Sequence, residues 1–321
     1  MIISKTPLRI SFFGGNTDFK EYYLNYGGLV LDTTIDKFIY CIVVKRFDDL
    51  IIVNYSDKEI VNNTAELKHD IARECLKLLG IEKGIEITFL SDIPTQGSGL
   101  GSSSAVTVGL LNALYAYLGE SIGKQQLAEK AIKIELDILG KPIGVQDQYI
   151  AAIGGLKAID FNSSNEIVFR KIKISESLKE DFNNSLMLLY TGVTRKSSDV
   201  LSSLNIKNNK VLLDKNKELA NNAISNLVKG NLREFGKLLD VSWKAKRALN
   251  SKTTNTEIDK MYDLVKKAGA IGAKIIGAGG GGFMLVMFPA NKRMAIKEKL
   301  KNYREIPFRF EEFGTRIVLN I

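Results

Sequence analysis

Polar and apolar residues alternate from Ile2 to Phe12 and then meet Gly14-Gly15, the pattern of a half-buried strand running into a loop. Further apolar runs predict strands at 28–31, 38–44, 50–55 and 85–90. Leu67, Ile71, Cys75 and Leu78 recur at helical spacing, which predicts a helix over 64–79 stopped by Gly80. A glycine- and serine-rich loop at 97–104 leads into a helix through Leu118, and Gly123 opens another over 124–139. After a mixed stretch at 144–155, strands at 156–161 and 167–174 flank a turn at 162–165. The second half begins with a strand at 186–190 and continues through helices at 211–229, 231–249 and 255–268. Strands at 273–276 and 283–288 then flank a run of glycines, before a helix at 291–302 and a last strand at 316–321. Strands and helices mix without regular alternation, so the expected fold class is α+β, with the chain divided into 1–182 and 183–321.

Composition narrows the classes that fit this pattern. Of the 321 residues 45% are apolar and 25% charged, so a sizeable core can form without disulfides or a structural metal. Cys41 stands in an apolar run and Cys75 in a predicted helix, as suits a reduced, cytoplasmic protein. The segment Met1–Lys5 passes directly into a strand pattern with no basic and then apolar leader. No apolar stretch approaches the roughly 20 residues that span a bilayer, so no membrane partner is expected. The formal net charge of +9 comes from lysines spread along the whole chain. Without a basic block or a recognised nucleic-acid module, that charge suits anionic small substrates rather than nucleic acid. Monomer and homodimer both stay open.

Candidate chemistry concentrates in glycine loops. Pro94-Thr-Gln-Gly97-Ser98-Gly99-Leu100-Gly101-Ser102-Ser103-Ser104-Ala105 directly precedes an apolar helix. Its glycines let backbone curl around a ligand, its serines suit a helix start, and unpaired amides there make an anion site, most simply for phosphates. It has no lysine at its end, so it is not a P-loop. Gly277-Ala-Gly-Gly-Gly-Gly282 lies between two predicted strands rather than opening a helix, which excludes a dinucleotide fingerprint. His69, on the polar face of its predicted helix, has no serine nucleophile motif beside it. Trp243, Tyr262, Met284 and Met287 read as core.

Three segments together resemble the GHMP kinase superfamily. Pro7-Leu8-Arg9-Ile10-Ser11 with Gly14-Gly15 and Asp18 resembles its first motif, Pro94–Ala105 its second, and Gly277–Phe283 its third, in the family's order and at its usual separations. The resemblance implies an N-terminal α+β domain that binds ATP, a ferredoxin-like C-terminal domain, and a site in the cleft between them. It implies ATP contacts from Pro94, Gly97, Ser98, Gly99, Leu100, Gly101, Ser102, Ser103 and Ser104. Glu135 lies among Ala131, Ile132, Ile138 and Leu139 at helical spacing, and a carboxylate in an apolar stripe needs a counter-charge. By similarity to the family it is the Mg²⁺ carboxylate, with Ser103 as the hydroxyl ligand, or Ser104 if the register shifts by one.

Gly144-Val-Gln-Asp147-Gln148-Tyr149 resembles the segment that carries the family's catalytic aspartate, and Arg9 matches the basic residue beside it. The turn Gly14-Gly15-Asn16-Thr17-Asp18 lacks the Glu-His pair of galactokinases, which leaves Gly15, Thr17 and Asp18 as substrate contacts, joined by Gly279, Gly280 and Gly281. Within the superfamily, the pattern around Lys5–Asp18 and Ile93–Ala105 resembles the branch containing D-glycero-D-manno-heptose 7-phosphate 1-kinases. That branch implies a small sugar phosphate as partner, and Arg195, Lys196 and Ser197 are the expected holders of its distal phosphate. A kinase of fucose, galactose or an N-acetylhexosamine is the alternative, as is a non-catalytic sensor of ATP and sugar.

Overall fold

The computed structural model describes residues 1–94, 97–195, 200–201 and 206–321. The N-terminal half runs β1 (Ile2–Phe13), α1 (Lys20–Tyr26), β2 (Gly28–Lys45), β3 (Ile51–Asn54), β4 (Lys58–Val61), α2 (Asp70–Leu78) and β5 (Ile85–Ser91). It continues through α3 (Ser102–Tyr117), α4 (Lys124–Ile132), α5 (Gln146–Ile153), β6 (Lys157–Phe161), β7 (Ile167–Lys171) and α6 (Glu176–Asn184). The remainder runs β8 (Leu186–Tyr190), α7 (Lys210–Val228), α8 (Leu232–Leu249), α9 (Thr256–Ala268), β9 (Gly272–Ile275) and β10 (Phe283–Met287). It ends with α10 (Arg293–Lys299), β11 (Glu305–Ile306), β12 (Phe310–Glu311) and β13 (Arg316–Asn320).

Two sheets organise these elements. The larger has the order β13-β1-β2-β5-β3-β4, with β6 and β12 also paired to β2 and β7 to β6. Helix α3 packs across β1 and β2 and is flanked by α2, α4 and α5. The smaller sheet has the order β11-β8-β10-β9, antiparallel throughout. With helices between β8 and β9 and between β10 and β11, this is the ferredoxin-like pattern that the family resemblance implies. Every residue of β10 is buried, as its unbroken apolar run requires. After β11 the chain returns to the large sheet, where β12 pairs with β2 and β13 with β1. Phe12 and Phe13 of β1, Phe182 of α6 and Phe235 of α8 pack with ring centroids 4.9–5.5 Å apart and tie the two halves together. Among the described residues no helix is long and apolar enough to cross a membrane.

Several boundaries differ from the sequence expectation. The strands expected at 28–31 and 38–44 are one strand, β2, because Asp32, Thr33 and Thr34 between them are buried and stay in register with β1. Thr34 also donates to Glu311 O at 2.7 Å and accepts from Gly155 N at 2.7 Å, so its polarity is used internally. The helix expected from 64 begins at Asp70, since Glu59 takes the N–H groups of Lys68 and His69 at 2.6 and 2.9 Å and holds an extended break. His69 is therefore an N-cap, accepting from Ala72 N at 3.2 Å and stacked on Phe89, rather than a residue of a polar helix face. The helix over 124–139 is α-helical to Ile132 and widens into π turns over Lys133–Ile138. The stretch 144–155 contains α5, and the helix expected at 291–302 shortens to α10 after a single 3₁₀ turn. Both cysteines are free and buried.

Candidate active site

A cleft of about 730 Å³ opens between the two sheets. One wall is the first glycine loop, in which Gly97, Gly99 and Gly101 have φ of 65°, 75° and 75°. Gly101 is the N-cap of α3, and the first helical bond runs from Ala105 N to Gly101 O, which leaves the amides of Ser102, Ser103 and Ser104 without intrahelical partners. All three serines line the cleft. The other glycine loop, 277–282, closes on this one: a Cβ at Gly277 would lie 2.6 Å from Gly99 Cα, and one at Gly99 would lie 2.6 Å from Ile276 O. Only residues without side chains allow two backbones to approach so closely.

The floor of the cleft holds an ion pair. Arg9 of β1 donates from Nε to Asp147 Oδ1 at 2.8 Å and from Nη2 to Oδ2 at 2.7 Å, while Nη1 donates to Gly99 O at 2.5 Å. This bidentate geometry fixes both side chains, and Asp147 stands in the first turn of α5. Asp18 is buried beside it and accepts from Gln146 N at 3.0 Å and Asn16 N at 3.1 Å. Burial pushes the Asp18 pKa up to about 6, with the nearby Asp147 charge acting in the same direction.

Towards the glycine loop lies a second cluster. Glu135 is 0% exposed within the π turns; its Oε1 accepts from Ser103 Oγ at 2.7 Å and Lys141 Nζ at 3.2 Å, and its Oε2 accepts from Gln148 Nε2 at 2.7 Å. Lys141 also donates to Ser103 Oγ at 3.0 Å. Of the two serines considered, Ser103 meets Glu135, whereas Ser104 is buried one position on.

On the opposite wall, Lys246 of α8 donates to Ile275 O at 3.2 Å and also to Gly277 O. Lys274 of β9 donates to Phe12 O at 2.7 Å across the junction of the sheets. Burial is the main cause that lowers the Lys274 pKa to about 8, with the Asp32 charge opposing it and Arg9 assisting, and burial with the Lys274 and Arg9 charges holds Lys246 well below its usual value. Asp32 lies nearby with no hydrogen-bond partner for either oxygen among the described residues, and burial pushes its pKa up to about 8.

The cleft brings together most of the expected residues: Arg9, Gly15, Asp18, Gly97, Ser98, Gly99, Gly101, Ser102, Ser103, Ser104, Asp147 and Arg195 line it, and Glu135 lies immediately beneath Ser103. Others stand elsewhere. Thr17 is buried with its hydroxyl spent on Gly14 O and Leu29 O, so it holds the turn rather than facing a substrate. Gly279, Gly280 and Gly281 are absent from the lining; they allow close packing against Thr253, Lys252 O and Val193 O respectively. Pro94 is exposed outside the cleft, and Leu100 buries its side chain in the core while its carbonyl accepts from Arg9 N at 3.0 Å. Arg195 has its backbone against Gly97, at the glycine-loop side of the cleft, and Lys196 and Ser197 lie outside the described residues.

Sequence reasoning missed Lys141, Gln148, Lys246, Lys274 and Asp32. For Asp32 and Lys274 a signal existed, a charge embedded in an apolar run, the same signal that exposed Glu135.

Residues 63–155 match the family model described as GHMP kinases N terminal domain, and residues 223–305 match GHMP kinases C terminal. The chain is 30% identical to the D-glycero-alpha-D-manno-heptose 7-phosphate kinase of Campylobacter jejuni, over 94% of this chain and 93% of that one. It is 27% identical to the L-fucokinase/L-fucose-1-P guanylyltransferase of Bacteroides fragilis, over 89% of this chain and 34% of that protein. The crystal structure of a D-glycero-D-manno-heptose 1-phosphate kinase from Bacteroides thetaiotaomicron superposes with a TM-score of 0.84 at 25% identity and covers 100% of both chains. With two glycine loops closing over an arginine-aspartate pair between an α+β domain and a ferredoxin-like domain, the chain belongs to the GHMP kinase family and is a carbohydrate kinase.

Proposed function

We propose that the chain transfers the γ-phosphate of ATP to the anomeric hydroxyl of D-glycero-D-manno-heptose 7-phosphate, giving the 1,7-bisphosphate for nucleotide-activated heptose synthesis. The similarity to the Campylobacter jejuni heptose 7-phosphate kinase supports the sugar. The observation that carries the mechanism is the Arg9–Asp147 pair on the cleft floor, within reach of the glycine loop through the Arg9 bond to Gly99 O. In this reading residues 1–182 carry the ATP loop and the reacting groups, and 183–321 supplies the facing glycine loop and the two lysines.

The unpaired amides of Ser102 to Ser104 at the start of α3 favour phosphate oxygens, and the loop glycines let backbone reach them. Glu135 and Ser103 suit Mg²⁺, which takes one or two protein oxygens and fills its remaining positions with phosphate and water. Held there, the metal would supply positive charge against the phosphate oxygens. Lys141 adds a fixed positive charge at the same place, and Gln148 fixes the other carboxylate oxygen. Asp147 accepts the proton of the sugar hydroxyl as it attacks in line, and Arg9 keeps that aspartate oriented while facing the moving phosphoryl group. Asp18 and Gly15 orient sugar hydroxyls. No covalent phosphoenzyme is needed.

The test is an ADP-release assay with Mg-ATP and a panel of heptose 7-phosphate, mannose 6-phosphate, fucose, galactose, N-acetylglucosamine and mevalonate. Strong turnover of the heptose phosphate alone is expected. Preferential turnover of any free sugar, or of mevalonate, would discard the proposed acceptor.

A further inference from the structure

The cations of the cleft divide into two kinds. Arg9 and Lys141 are committed to carboxylates, Asp147 and Glu135, at 2.7 and 3.2 Å. Lys246 and Lys274 instead donate only to main-chain carbonyls, and no carboxylate lies within ion-pair distance of either among the described residues. An ammonium has three donors, so Lys274 keeps two and Lys246 one for a ligand. The carbonyl bonds also fix where the charges stand, and a preformed site loses less entropy on binding.

Both lysines are enclosed in one wall near Arg9, where burial disfavours an unpaired charge and holds their pKa values below the usual one. A doubly charged anion relieves that cost. The phosphate loop at the start of α3 already has its own amides, Ser103 and Lys141. On the acceptor side, the carboxylates of Asp18 and Asp147 repel an anion and favour hydroxyls. The lysine wall is where an anionic substituent of the acceptor fits, and Ser242 and Asn216 also line the cleft. Arg195 lines the same cleft but sits against the phosphate loop, with its backbone on Gly97 and its Nη1 donating to Lys252 O at 3.5 Å.

We infer that Lys246 and Lys274 form the subsite for the distal phosphate of the acceptor, and so select a sugar phosphate over the free sugar. The inference rests on the acceptor being a sugar phosphate, as proposed above.

The experiment compares kcat/KM for heptose 7-phosphate and for the free heptose, at saturating Mg-ATP, in the wild type and in Lys246→Met, Lys274→Met, Lys246→Arg and Arg195→Ala. The wild type should prefer the phosphorylated acceptor. Each methionine variant should lower that preference roughly 10- to 150-fold, the range for one charge-assisted hydrogen bond, chiefly by raising KM. Lys246→Arg should retain part of the preference, and Arg195→Ala nearly all of it. Inorganic phosphate, tested as a competitor of the acceptor, should inhibit the wild type more strongly than either methionine variant. If Lys274→Met fails to fold, Lys246→Met on the more open part of the wall carries the same test. A wild type with no preference would remove the sugar-phosphate reading and the subsite together. A wild-type preference that survives both methionine substitutions, or vanishes only in Arg195→Ala, would overturn the subsite and leave the sugar-phosphate reading standing.

Discussion

Asp147 touches Arg9 through both carboxylate oxygens, and that contact separates its chemical from its structural part. Asparagine keeps the shape and one acceptor but takes up no proton. Asp147→Asn is therefore expected to lower kcat by about 10²–10⁴-fold, the range for a general base, while KM for ATP changes little. Removing one partner of a charge pair also costs stability, and a fall of about 1–3 kcal/mol in urea unfolding is expected alongside. A kcat within a few-fold of wild type would remove the aspartate from the reaction. Glu135 differs because its partners are Ser103, Lys141 and Gln148, and neither Arg9 nor Asp147 is among them. Glu135→Gln should shift the Mg²⁺ concentration for half-maximal activity upward by about tenfold or more, the loss of one charged ligand contact. The sugar KM should stay near wild type; an unaltered Mg²⁺ titration would contradict the ligand role.

At the scale of elements, the two glycine loops act as one unit, because Gly99 and Gly277 leave room for nothing but each other's backbone. Gly277→Ala introduces both a left-handed φ of 67° and a Cβ 2.6 Å from Gly99 Cα. Gly119→Ala offers the control, with a φ of 73° and no atom near the added Cβ. The control should cost about 1 kcal/mol, whereas Gly277→Ala should cost at least about 2 kcal/mol and raise KM for ATP by displacing the phosphate loop. Equal effects in the two variants would show that the loops do not depend on this contact. These loops were legible in the sequence because glycine and serine carry their chemistry locally, and so was Glu135, whose charge interrupts an apolar stripe. The expected glycine contacts at 279–281 failed for a physical reason: a glycine run announces close approach, but not whether a ligand or another loop approaches. Short elements such as α1, α6 and β12 leave little trace in the sequence because few residues carry their pattern. The split of β2 into two strands arose because Asp32, Thr33 and Thr34 look like a polar interruption, although pairing with β1 buries them. The return of β13 to β1 joins residues some three hundred positions apart, and no local pattern encodes such a partner.

Over the whole molecule, the cleft is also the seam between two sheets, and charges buried at that seam couple folding to pH. Asp32 of β2 and Lys274 of β9 are both buried there, close enough for the Asp32 charge to act on Lys274 but without an ion-pair contact, and Lys274 is bound to Phe12 O of β1. Unfolded, Asp32 loses its proton near its ordinary value of 3.8; folded, burial holds the proton until about pH 8. Between those values the folded chain binds more protons than the unfolded one, so this residue's contribution to stability is full below pH 4 and is lost as pH rises to about 8. Asp18, raised to about 6, adds the same sign over a narrower window. His69, lowered by burial, acts oppositely near neutral pH. Lys274, lowered from 10.5 to about 8, binds fewer protons folded than unfolded over that interval, and its contribution returns as pH rises through it. Because Lys246, lowered well below its usual value, acts oppositely to Asp32, urea unfolding at several pH values from 5 to 10 is best compared between the wild type and an Asp32 variant. Asp32→Asn removes the group with the widest of these windows, since asparagine does not titrate. The stability of wild type minus that of the variant should fall with pH by up to roughly 1.4 kcal/mol per pH unit between pH 5 and 8. A difference that stays constant across that interval would mean that Asp32 is ionised in the folded protein. The seam would then hold a buried ion pair with Lys274, and the lysine wall would carry one charge fewer for an incoming phosphate.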